Sequence, residues 1–138
     1  MNREALQLIS RQRKREAATL LRAGMFPGAF YLAGYAVECA LKACIAKQTN
    51  RYDFPDKRLS NEAWTHDLQK LAQLSGLWPE LHRDMGTSAA LELNWTIVKD
   101  WSEAVRYDIP VTGAQARDLY SACTTRRTGV LPWIRQRW

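Results

Sequence analysis

"FYLAGYAVECALKACIA", residues 30–46, decides the fold. It is apolar or small at almost every position, long enough for one well-buried helix, and yet it contains Glu38, Lys42 and two tyrosines, Tyr31 and Tyr35. On a wheel of about 100° per residue these four side chains fall within about 60° of one another. Phe30, Val37, Leu41 and Cys44 form a neighbouring apolar strip. Ala33, Ala36, Ala40 and Ala43 line the far side, where small side chains let a second helix come close. The pattern predicts a central helix that keeps one narrow polar and aromatic stripe. Glu38 and Lys42 stand at i, i+4 in the order that favours an ion pair.

Two meanings of the stripe stay open at this level. In one, Glu38 and Lys42 satisfy each other and the tyrosine hydroxyls reach solvent or a backbone carbonyl, because buried charge requires such partners. In the other, the stripe is one wall of a cleft that binds a polar ligand. A membrane span is not expected, since hydrocarbon would penalise both charges near the centre of the run. The chain opens without a secretory leader pattern, and Cys39, Cys44 and Cys123 are odd in number and unsuited to local pairing. Reduced thiols in a cytoplasmic protein are the expectation.

Outward from this segment, Gly and Pro divide the chain into pieces of helical period with no convincing strand. A first helix over about 2–23 presents Ala5, Leu8, Ile9, Ala17, Leu20 and Leu21 on one broad side, and "AGMFPG" breaks it. After a turn-rich loop, "QTNRYDFPDKRLSNE", Thr65 is a candidate cap for a short helix ending at Gly76. Pro79 opens a further helical region, in one or two pieces, with Ile97, Trp101 and Val105 on one stripe. Thr112 and Gln115 form a capping-box pattern for a last helix kinked or divided at Gly129 and Pro132. The expected fold is all-α, an up-and-down bundle of about five helices in a single domain spanning residues 1–138.

Charge is unevenly placed. The chain carries 20 Lys and Arg against 14 Asp and Glu, a formal net charge of +6, with the excess in its two ends. Arg11, Arg13, Lys14 and Arg15 in the first helix, and Arg126 and Arg127 near the end, are candidate nucleic-acid contacts, since phosphate binding is driven by cations that release counterions. The alternative is a solvated, solubilising helix face. Trp133 and Trp138 lie among C-terminal arginines and are candidate stacking platforms, whereas Trp95 and Trp101 are expected in the core. Three scattered Cys and two His sixteen apart make no metal-ligand spacing, and no phosphate loop is present, so neither metal nor cofactor is expected.

"FYLAGYAVECALKA", preceded by "AATLLRAGMFPGA" and followed by "THDLQKLAQLSG", "NWTIVKDWSEAVRYD" and "GVLPWI", resembles the HEPN family of small prokaryotic helical-bundle proteins. The resemblance covers about residues 15–135 and is most specific in the second helix. It implies a bundle that is often a homodimer, frequently encoded beside a minimal nucleotidyltransferase, in toxin–antitoxin or defence systems. Active members are metal-independent ribonucleases whose signature is an Arg followed four to six residues later by a His. The matching arginine is Arg106, followed by Tyr107, but Pro110, Val111, Thr112 and Gly113 stand where the His belongs.

Arginine stabilises a phosphorane but cannot shuttle protons, so Arg106 alone is half a site. His66, in "THDL", is the candidate to complete it, or else a packing residue in the first turn of its helix; His82 is expected to be exposed. Tyr31, Tyr35, Glu38, Lys42 and Tyr107 are the candidate binding residues around them. The readings carried forward are an RNA-binding or nucleotidyltransferase-binding HEPN-like protein, a ribonuclease rewired around Arg106 and His66, and a non-catalytic protein-interaction module.

Overall fold

In a computed structural model of the chain, residues 2–49, 56–107 and 110–138 are described, the side chains of Arg106 and Tyr107 excepted. Among the described residues the fold is all-helical, with eight α-helices, one 3₁₀ helix and no strand. Helix α1 (Arg3–Arg22) starts where the Asn2 side chain accepts from the amide of Ala5, and the chain turns back through Gly24 at φ +75°. That left-handed conformation suits a residue without Cβ. Helix α2 (Phe26–Lys47) follows with Pro27 in its first turn, where a missing N–H costs nothing.

Helix α2 is the centre of the molecule. It packs on α1, on α4 (Leu68–Leu74), on the 3₁₀ helix (Glu103–Tyr107), on α7 (Gly113–Thr124) and on α8 (Val130–Arg135). By length and composition it could cross a membrane, but 67% of its most apolar window is buried by the rest of the fold, as in a core helix. The alanine side behaves as its small residues require. Ala33, Ala36 and Ala40 are buried, and from α1 the small Ala17 is buried and Ser10 donates a 2.7 Å hydrogen bond to the carbonyl of Ala36. Around this axis Leu41, Leu68, Leu71, Leu119, Leu131 and Ile134 are almost wholly enclosed, each worth about 1.5–3 kcal/mol of burial.

Several expectations need correction. Asp56 caps an extra short helix, α3 (Lys57–Glu62), inside the stretch expected to be loop; Pro55 and its neighbours 50–54 lie outside the described residues. Asp67 rather than Thr65 caps α4: its carboxylate accepts from Lys70 N, while Thr65 Oγ1 accepts from Asp67 N. The region after Pro79 takes the two-piece form the sequence allowed, divided at Ser88 into α5 (Trp78–Thr87) and α6 (Ala89–Lys99). Trp101 and Val105 are buried as expected, but they lie beyond the end of α6. The final helix is divided, as expected, ahead of Gly129, which precedes α8, whereas Pro132 lies inside α8 and does not break it. Five helices thus become eight, because local caps end segments that hydrophobic period alone would run together. Leu8, assigned inward, is 53% exposed, and Ser10 takes the buried position. The Thr112–Gln115 capping box forms in full.

Candidate functional site

Glu38 sits at the middle of the α2 stripe and is only 2% exposed. A carboxylate so enclosed needs cations or donors, and it has both. Lys42, one turn on, donates from Nζ to Oε1 at 2.9 Å, as the i, i+4 spacing foretold. His66, 28 residues further along the chain, places Nδ1 2.9 Å from each of the two carboxylate oxygens. An ionised carboxylate only accepts, so Nδ1 carries the proton that points at Glu38, and in the neutral ring Nε2 keeps its lone pair. Among the described residues Nε2 makes no hydrogen bond.

The loop that delivers His66 is fixed locally. Thr65 Oγ1 accepts from Asp67 N and Asp67 caps α4, so residues 65–67 are held against a helix whose Leu68 and Leu71 are fully buried. His66 is itself 40% exposed at its side chain and lines an open cleft of about 350 Å³ with Thr65, Asp67, Lys99, Trp101, Ser102 and Glu103. Lys99 faces Asp100 at 3.4 Å, and Asp67 and Glu103 also border the cleft, so its rim carries both signs of charge.

The aromatic half of the stripe packs on Trp101, which lines the cleft. Tyr31 stacks on Tyr35 with ring centres 6.0 Å apart and on Trp101 at 6.2 Å. Trp101 lies directly over Gly34 of α2 and donates its indole N–H to the carbonyl of Phe30 at 3.2 Å. Burial, with nearby Cys39 and Glu38, pushes the Tyr35 hydroxyl above its ordinary range. The same enclosure pushes the Cys39 thiol up to about 11; Glu38 adds to this, while Lys42 and Arg13 of α1 oppose it.

The candidates therefore divide. Glu38, Lys42 and His66 come together, with Tyr31 and Tyr35 on the same face of α2 as Glu38 and Lys42, and of the five only His66 lines the cleft. The side chains of Arg106 and Tyr107 lie outside the described residues; the 3₁₀ helix that carries both packs on α2. His82 is exposed, as expected, edge-on to Trp78. Among the described residues no group of three His, Cys, Asp or Glu is arranged to hold a metal ion.

Of the basic candidates, Arg13 is paired with Glu16, whereas Arg11, Arg15, Arg126 and Arg127 are exposed. Trp133 is not a stacking platform. It is buried, its N–H donates to Asp84 at 2.8 Å, and the Arg137 guanidinium covers its ring at 3.8 Å. The sequence reading missed Lys99 and Ser102 as cleft residues and Trp64, 81% exposed, immediately before Thr65. An exposed Trp next to a turn is not distinguished by period from a buried one.

No family model matches the chain, and no curated protein or solved structure matches it significantly.

Proposed function

We propose that this chain is a HEPN-like component of a prokaryotic toxin–antitoxin or defence system, cytoplasmic and homodimeric, that binds RNA. The observation that carries the reading is His66, which lines an open cleft and hydrogen-bonds the buried, Lys42-paired Glu38 of the helix where the family resemblance is strongest. Binding to a minimal nucleotidyltransferase is the other role the resemblance implies. The two separate by salt: affinity for a single-stranded RNA should fall on the order of tenfold for a fourfold rise in salt, because phosphate contacts release counterions. An association that fluorescence anisotropy finds indifferent to salt removes the RNA reading.

A second reading, metal-independent ribonuclease chemistry, is favoured specifically by the Glu38–His66 contact. A carboxylate that fixes the tautomer leaves Nε2 free to accept a proton. In that reaction the 2′-oxygen attacks phosphorus as its proton passes to Nε2, the bond to the 5′-oxygen breaks, a proton from solvent or His66 completes the leaving hydroxyl, and a 2′,3′-cyclic phosphate remains. Purified protein in chelator should then yield cyclic-phosphate ends, and His66→Ala should slow cleavage by about 10²–10⁴-fold with the fold intact. Cleavage undiminished in His66→Ala assigns the activity elsewhere.

A further inference from the structure

The two basic ends of the chain meet in space. Arg3 Nη2 donates to the carbonyl of Trp138 at 2.6 Å, and the Arg11 guanidinium lies 4.9 Å from the centre of the Trp138 ring. Lys47, at the end of α2, donates to the carbonyl of Arg137 at 3.0 Å. One turn along α1 from Arg11, Lys14 is partly buried near Arg135 of α8; burial first, and the neighbouring guanidinium second, hold its ammonium below the ordinary lysine value.

Like charges gathered in this way repel one another, and some basic side chains in this fold relieve that repulsion with a carboxylate. Arg13 has Glu16, and Arg58 has Glu62. Arg137 has Glu80 at 2.9 Å and Asp84 at 3.1 Å. Among the described residues Arg11, Lys14 and Arg135 enter no ion pair, although they come from opposite ends of the sequence. Cations brought together around an aromatic ring, without a protein counter-charge, form the arrangement that tracks a single-stranded phosphate backbone.

We propose that the seam between α1 and the end of α8, where Arg11 lies over Trp138 with Lys14 one turn along α1 and Arg135 at the end of α8, is a phosphate-backbone track for single-stranded RNA. The proposal rests on the RNA-binding reading above and names the surface that carries it. That surface is distinct from the Glu38–His66 cleft, whose rim is of mixed charge.

The test is a salt series of fluorescence anisotropy with a labelled oligouridine and the full chain, wild type against Arg11→Gln/Lys14→Gln/Arg135→Gln. Each lost phosphate contact should flatten the log–log salt slope by about 0.7, so the triple variant should lose about 2 in slope, and its affinity at low salt should drop at least about tenfold. Lys14→Gln alone, which relieves the crowding with Arg135, should lose about 0.7 and serves if the triple variant misfolds. Lys70→Gln, on the exposed side of α4, should change neither quantity. Oligouridine bound with an unchanged slope by a folded triple or single variant overturns the seam and leaves the RNA reading standing. Failure of the wild type to bind oligouridine overturns both. Equal binding of polyglutamate, lost in the same variants, overturns RNA as the ligand of this surface.

Discussion

Gly34→Ala should lower the stability of the protein by about 3 kcal/mol, a fall in the thermal midpoint on the order of 10 °C. The sign is the informative part. In mid-helix, alanine is favoured over glycine by about 1 kcal/mol, so propensity alone predicts a gain. Packing reverses it. A Cβ on residue 34 would lie 2.1 Å from Trp101 Cε2 and 2.2 Å from its Cδ2 and Nε1, so the indole cannot stay.

A displaced Trp101 loses its hydrogen bond to Phe30, its stack on Tyr31 and its burial, of which only 4% exposure now remains. Overpacking costs about 1–3 kcal/mol and losing a buried Trp about 3–5 kcal/mol, which brackets the expected change. Melts followed by circular dichroism read the effect. In the Gly34→Ala background, Trp101→Leu should cost much less than in wild type, because the two substitutions remove one contact. A rise in midpoint with Gly34→Ala would show that the ring is not seated on α2.

The second large effect is expected at the carboxylate. Lys42→Met combined with His66→Leu removes both hydrogen-bond donors, an ammonium and an imidazole N–H, from a side chain that is 2% exposed, and should cost about 3–5 kcal/mol in urea denaturation. The magnitude comes from desolvated Glu38 rather than from the strength of the contacts themselves, since the Lys42 and His66 side chains are 22% and 40% exposed and solvent screens the Lys42 charge. Adding Glu38→Leu to the double variant should recover most of the loss, because an apolar residue of similar volume has no charge to satisfy. A double variant within about 1 kcal/mol of wild type would mean that water reaches Glu38 freely. This stability series and the RNA measurements are independent: the cluster can be costly to break whether or not the cleft holds a ligand.

The parts of this structure that the sequence made legible are those set by local periodicity. The stripe of Tyr31, Tyr35, Glu38 and Lys42 follows from 3.6 residues per turn, and the Glu38–Lys42 pair from i, i+4 spacing. The Thr112–Gln115 box follows from the reach of two side chains across one turn. What stayed hidden depends on where distant segments dock. His66 meets Glu38 across 28 residues, and Arg11 meets Trp138 only because α1 runs back along α2 and the end of the chain returns to it. Trp101 was legible as a core residue but not as the plate resting on Gly34, since that contact bridges the end of α6 and the middle of α2. Asp56 and Asp67 were overlooked as caps because several polar residues compete in each loop and the winning one is decided by chain direction.

The tight reversal at residues 23–25 has a kinetic consequence. A three-residue connection imposes little loop-closure entropy, so α1 and α2 can zip into an antiparallel hairpin before any distant segment is recruited. The tyrosines and Glu38 are thereby mounted early on a nucleus, while the histidine side of the cleft must wait for a slower, long-range search. An incompletely assembled chain would carry Glu38 without the imidazole that hydrogen-bonds it, so that contact should form later in folding than the α1–α2 hairpin.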